Sequence, residues 1–255
     1  MEQRLYEALQ RNPIIAAVRD DEGLAQCLRT DIQTVFVLYG DICNISEIVR
    51  QIKDAGKIAI VHADLISGLA AKEISVDFLR RSTQADGMIS TRANMIQRAK
   101  ELNMIAILRV FLIDSMALDS ALSAKNLKPD AIDILPGLMP SMLRKVRQLT
   151  GLPILTGGLI TEKKEVMQAL EAGALAAPAD VYHHAHLGQQ QDEAGAAGGE
   201  EGQRDAGVGQ GVGDDRDVAE HLPRDLRHDA DAHHGAVQVL RLIGDEQPLH
   251  DKQHE

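Results

Sequence analysis

The chain has 255 residues, a formal net charge of −11, 2 cysteines and no tryptophan. Two cysteines, Cys27 and Cys43, cannot form the framework of a disulfide-built secreted domain, and no apolar stretch is long enough to span a bilayer. Residues 1–176 hold 21 Lys+Arg and 21 Asp+Glu, so the net charge lies beyond them and says nothing about what the first part binds.

The opening Met1-Glu2-Gln3-Arg4-Leu5 is not a basic segment followed by an apolar run. No signal peptide is read there, and the expectation is a cytoplasmic protein away from membranes. Short apolar runs then recur in chain order: 14–18, 34–39, 58–61, 87–90, 104–108, 131–135, 153–156 and 174–176. They are apolar on both faces, which suits strands of a parallel sheet covered by helices. Helical stripes lie between them. Over 44–55, Ile45, Ile48, Val49 and Ile52 share a face, with Asn44 as N-cap, Glu47 three residues on and Gly56 as the stop. Residues 92–102 and 139–150 are similar, and 161–172 repeats the plan with Thr161 as cap. Strand starts 17 to 29 residues apart predict an α/β fold, a small TIM-like (β/α) barrel; a doubly wound open sheet is the alternative.

The chain changes character near residue 176. Residues 177–255 contain no Ser, Thr, Asn, Met, Cys, Phe or Trp. No helical or strand period runs through them, and low hydrophobicity with net charge predicts disorder. Translation in a shifted frame after about Ala176 accounts for the missing residue types; a genuine acidic tail is the alternative. The expected domains are therefore a barrel over 1–176 with its last βα unit incomplete, and a low-complexity tail over 177–255. Nine of the ten histidines lie in that tail, and no physiological metal site or cofactor is read from them.

A barrel of this kind builds its site where the strands end. Arg19 follows the first strand, His62 and Asp64 the third, Arg92 the fourth, Arg109 the fifth, Asp133 lies on the sixth, and Gly157 and Gly158 follow the seventh. Arginine forks suit phosphate or carboxylate, and a Gly-Gly pair lets amides approach an anion. The set points to a small anionic ligand, a phosphoester. No nucleophile elbow, P-loop, zinc-protease or dinucleotide motif is present, and no lysine sits inside a central strand. Ligand sensing is favoured over catalysis. Arg80-Arg81 with Arg92, Arg98 and Lys100, and Arg144-Lys145 with Arg147, form two basic clusters, which read as solvated helix faces.

Several stretches resemble the glycerol-uptake operon antiterminators, regulators responsive to glycerol-3-phosphate. They are His62-Ala63-Asp64-Leu65-Ile66-Ser67-Gly68-Leu69, Ala85-Asp86-Gly87-Met88-Ile89-Ser90-Thr91-Arg92, Phe111-Leu112-Ile113-Asp114-Ser115, Ile134-Leu135-Pro136-Gly137-Leu138-Met139-Pro140, Gly157-Gly158-Leu159-Ile160 and Ala172-Gly173-Ala174. The resemblance implies a TIM-like barrel that takes glycerol-3-phosphate as effector and acts on the leader mRNA of glycerol-metabolism genes to prevent termination. It implies that Arg19, Arg109 and the Gly157-Gly158 backbone hold the phosphate, with His62 and Asp64 near its hydroxyls. The chain departs from the family at Leu108, where a Gln is usual, and at Ala63, where a larger residue is common. At 177–180 a Ser/Thr-rich turn is expected, so half of the phosphate cup and the closing helix are read as missing. Two further readings stand beside the regulator: a barrel enzyme acting on a phosphorylated small molecule, a phosphodiesterase or lyase, and a non-functional fragment.

Overall fold

The computed structural model describes residues 3–160 and 162–180. The chain divides into a unit ending at His183 and a second over His184–Glu255. The second lies outside the described residues, as do Thr161, the His183-His184 cluster and every expectation for residues beyond 180.

Eight strands run parallel: β1 Ile14–Val18, β2 Thr34–Val37, β3 Ile58–His62, β4 Gly87–Ser90, β5 Ile105–Phe111, β6 Ala131–Leu135, β7 Ile154–Thr156 and β8 Ala177–Asp180. Each pairs with its neighbour in sequence, and β8 pairs with β1, Ile15 opposite Pro178. On its other side, Ala176 bridges Leu155 and accepts the Thr156 N–H at 3.1 Å. This order closes the sheet and excludes the doubly wound alternative, whose strand order reverses at a switch point. Helices precede or follow every strand: α1 Gln3–Arg11, α2 Asp21–Leu28, α3 Ile45–Asp54, α4 Glu73–Ser82, α5 Ala93–Glu101, α6 Ser115–Ser123, α7 Pro140–Thr150 and α8 Lys163–Glu171.

Period-2 alternation sorts each strand's side chains between two cores. Outward residues such as Val35, Val61, Met88 and Ala106 pack under the amphipathic faces of the helices. Inward residues fill the barrel: Ile15, Phe36, Ile58, Ile60, Ile89, Ile105, Ile107 and Leu155, with Leu5 and Leu9 of α1 in the same cluster. Helix α1 therefore seals the end of the barrel where the strands begin. Arg4, on the same helix, reaches Asp86 and the Gly56 carbonyl. Full burial of a side chain such as Leu9 contributes about 1.5–3 kcal/mol. Gly87 opens β4 because no side chain fits there: a Cβ would stand 2.5 Å from the Ile105 carbonyl oxygen.

Three expectations change. The eighth strand is Ala177–Asp180, and Ala174–Ala176 leads into it from the Gly173 turn. The strand is thus not cut off at 176. Pro178, which offers no N–H, is tolerated because β8 has a full ladder only with β1 and a single bridge to β7. Asn44 does not cap α3 with its side chain; its Oδ1 accepts instead from the Asp41 N–H at 2.8 Å, and Glu47 pairs with Arg50. At α8 the N-cap is Glu162, in a reciprocal capping box with Glu165.

Candidate functional site

Counting along the strands by twos places three polar side chains above the apolar filling. His62 follows Ile58 and Ile60 on β3, Arg109 follows Ile105 and Ile107 on β5, and Asp133 follows Ala131 on β6. They form the top inward layer, at the mouth where the strands end. All three are buried, Asp133 completely.

Arg109 and Asp133 are register partners on adjacent strands. The Arg109 Nε donates to Asp133 Oδ2 at 2.8 Å, and Nη2 stands 2.8 Å from the same oxygen. Burial pushes the Asp133 carboxyl up, and the Arg109 guanidinium opposes that shift. The other carboxylate oxygen, Oδ1, is buried without a hydrogen-bonding partner among the described residues, and so is Nδ1 of His62. Such orphans are costly unless a further group reaches them. Burial, and then the Arg109 charge, push His62 down to about 4, so its imidazole is neutral at pH 7.

A second group sits at the ends of β3 and β4. Asp64 Oδ1 accepts from Ser90 Oγ at 2.8 Å; Oδ2 accepts from the Thr91 N–H at 2.7 Å and Thr91 Oγ1 at 3.1 Å. Arg92 Nε lies 3.8 Å from Asp64 Oδ1, its side chain half exposed. Asp64 is thus a clamp that fixes the turn after β4 and holds Arg92. Ser90 and Thr91 are the site-building residues that sequence reasoning left out of the site. The signal was present, since a Ser-Thr pair at the end of a strand is suited to a carboxylate clamp.

Arg19 is exposed, one residue past β1. Gly157 is buried, and its N–H donates to the Ile134 carbonyl at 3.2 Å, continuing the sheet. Of the glycine pair, that amide is committed. A Cβ at Gly157 would meet the Pro178 ring at 3.1 Å, so the glycine admits β8's proline instead. Gly158 takes φ +71° and Leu159 φ +61°, a sharp left-handed turn in which Leu159 is strained. The capping box of Glu162 and Glu165 occupies the start of α8, so that helix end is not free for a phosphate. The structure therefore brings His62, Arg109 and Asp133 together, joins Asp64 to Arg92 beside them, and leaves Arg19 and Gly158 as separate points on the same rim. Among the described residues no group of three or more His, Cys, Asp or Glu is arranged to hold a metal ion, and no helix is long and apolar enough to cross a membrane.

Comparison with known proteins agrees with this architecture. Residues 14–179 match the family described as glycerol-3-phosphate responsive antiterminator, a match that takes in all but the last residue of β8. An uncharacterized protein of Escherichia coli (strain K12), YgcP, is 41% identical over 175 residues, 68% of this chain and 91% of that one. A glycerol uptake operon antiterminator regulatory protein of Listeria monocytogenes superposes with a TM-score of 0.64 at 33% identity, covering 66% of this chain and 91% of that one. A glycerol uptake operon antiterminator-related protein of Thermotoga maritima gives 0.59 at 28% identity, with 65% and 93% covered. An N-acetylmannosamine-6-phosphate 2-epimerase of Clostridium perfringens shares the fold alone, at 13% identity and TM-score 0.56. A match over all eight strands, with the strand-end residues in their places, identifies the chain as a member of the glycerol-3-phosphate responsive antiterminator family.

Proposed function

We propose that this chain is a cytoplasmic regulator that binds glycerol-3-phosphate in the barrel mouth and then engages the leader mRNA of glycerol-metabolism genes. The observation that carries the reading is the family match across the barrel. The mouth fits it chemically. Arg109 and Arg19 supply charge for the phosphate, and the Gly158 amide supplies a donor on the facing rim. The orphaned Asp133 Oδ1 and His62 Nδ1 suit the two hydroxyls of the glycerol part, because a buried acceptor takes a donating hydroxyl and a neutral imidazole can serve either way. Asp64 acts through Arg92, which it holds at the rim. The barrel over 1–176 extends in this reading to Asp180, with residues 184–255 a separate segment.

A neutral His62 whose neighbours Asp133 and Asp64 are engaged by Arg109, Ser90 and Thr91 favours recognition over turnover. The test is binding of the full chain to the transcribed leader of a glycerol-utilisation gene from the same genome, with and without sn-glycerol 3-phosphate. The expected result is RNA binding that the ligand strengthens, with the ligand recovered unchanged. Hydrolysis of a glycerophosphodiester, or RNA binding that ignores the ligand, contradicts it.

A further inference from the structure

Charge is distributed unevenly along the barrel axis. Around the mouth the loops and first helical turns carry Asp20, Asp21, Glu22, Asp41, Asp64 and Glu73 interspersed with Arg19, Lys72, Arg92, Lys163 and Lys164. At the opposite end, where helices finish and strands begin, stand Arg11, Arg29, Arg80, Arg81, Lys125 and Lys128. All six are exposed, and among the described residues none has an ion-pair partner. The carboxylates of that end are mostly spent: Asp54 on Arg50, Asp86 on Lys53 and Arg4, Glu101 on Arg98, Asp130 on Lys100. Among the described residues, Glu7, Asp31 and Glu171 remain there without a basic partner. Tyr6, an exposed ring on the helix that seals this end, offers a face on which a base can stack.

Basic residues at helix C-termini also complement the helix dipoles, which accounts for part of the pattern. It does not account for so many without an ion-pair partner, among the described residues, on one end of the barrel. At the mouth a polyanion meets carboxylates interspersed with bases, whereas at the sealed end it meets mostly unopposed positive charge. Resting on the reading above that this chain binds RNA, we infer that the RNA backbone docks on the α1-sealed end of the barrel, remote from the effector mouth. Effector and RNA then bind different ends of one barrel, so their coupling passes through the strands and does not arise from contact between the two ligands.

The test compares the full chain with two double variants, Arg80→Gln with Arg81→Gln and Lys125→Gln with Lys128→Gln, and with a mouth variant, Lys163→Gln with Lys164→Gln. The probe is the same transcribed leader, against a scrambled RNA of equal length, at several salt concentrations. Each phosphate contact removed flattens the slope of log affinity against log salt by about 0.7–0.9. Each sealed-end pair is expected to flatten it by one to two such steps, while calorimetric binding of sn-glycerol 3-phosphate stays unchanged. The mouth pair is expected to leave the slope alone. Unchanged slopes in both sealed-end variants, or a loss confined to the mouth variant, overturn the inference and leave the antiterminator reading standing. Parental protein that binds neither RNA overturns both.

Discussion

At the residue scale, the informative feature is a polar layer resting on a dry one. Arg109 and Asp133 meet inside the barrel, and His62 beside them is held neutral by burial and by the Arg109 charge. That arrangement has a pH signature. His62 titrates near 6.5 in the unfolded chain and near 4 in the folded one. Below pH 6.5 the unfolded state takes up a proton that the folded state refuses, so His62 withdraws stability as pH falls from about 6.5 to about 4. The full shift corresponds to about 3 kcal/mol. Denaturant unfolding of the parent and of His62→Gln at pH 7 and pH 4.5 checks this. The variant is expected to lose less stability between the two pH values than the parent; an equal loss removes His62 as the cause. The neighbouring ion pair carries its own expectation. Asp133→Asn leaves the Arg109 charge buried beside a neutral group, which costs on the order of 3–5 kcal/mol. A drop in denaturant midpoint within experimental scatter would show that the buried pair does not support the fold.

At the element scale, α1 is the least expected part. Its sequence is mostly polar, and its narrow apolar stripe is Leu5, Ala8 and Leu9, of which the two leucines are fully buried. Those two leucines enter the barrel's inner core with Ile15 and Phe36. Leu9→Ala is therefore expected to cost about 2–5 kcal/mol, as for any fully buried leucine, and a melting curve that barely moves would place α1 outside the core. Most of the other elements were legible because both signals were strong. Ile14–Val18 and Ala131–Leu135 appear with the bounds their apolar runs suggest, and Gly56 ends α3 as a left-handed residue should. The eighth strand was misplaced because Ala174-Leu175-Ala176 is the more apolar run, whereas pairing with β1 selects Ala177–Asp180, proline included. Local hydrophobicity cannot report a partner strand 160 residues earlier, and closure of the barrel decided that register. Within the site, the strand-end positions of His62, Arg109 and Asp133 were legible, and their shared inward layer emerges from the strand register in the barrel. The engagement of Asp64 by Ser90 and Thr91, and of the Gly157 amide by Ile134, depends on how neighbouring strands are staggered, which no single segment records.

At the scale of the whole molecule, the barrel separates two surfaces. The mouth gathers Arg19, Arg92 and Arg109, the Gly158 turn and the orphaned polar atoms, and the sealed end gathers positive charge without ion-pair partners among the described residues. A regulator that answers a small phosphoester and grips a polyanion has a use for both ends. The central claim is that the mouth is a glycerol-3-phosphate site, and calorimetric titration of sn-glycerol 3-phosphate into the full chain and into Arg109→Ala tests it most directly. Arg109→Lys, which keeps a positive charge beside Asp133, replaces the alanine variant if that one melts below the assay temperature. Saturable binding is predicted for the parent. Removing charge-assisted hydrogen bonds worth about 1.5–3 kcal/mol should weaken it roughly tenfold to a hundredfold in the variant. No heat of binding from a folded parent at millimolar ligand, or a folded variant that binds as tightly as its parent, would contradict the account.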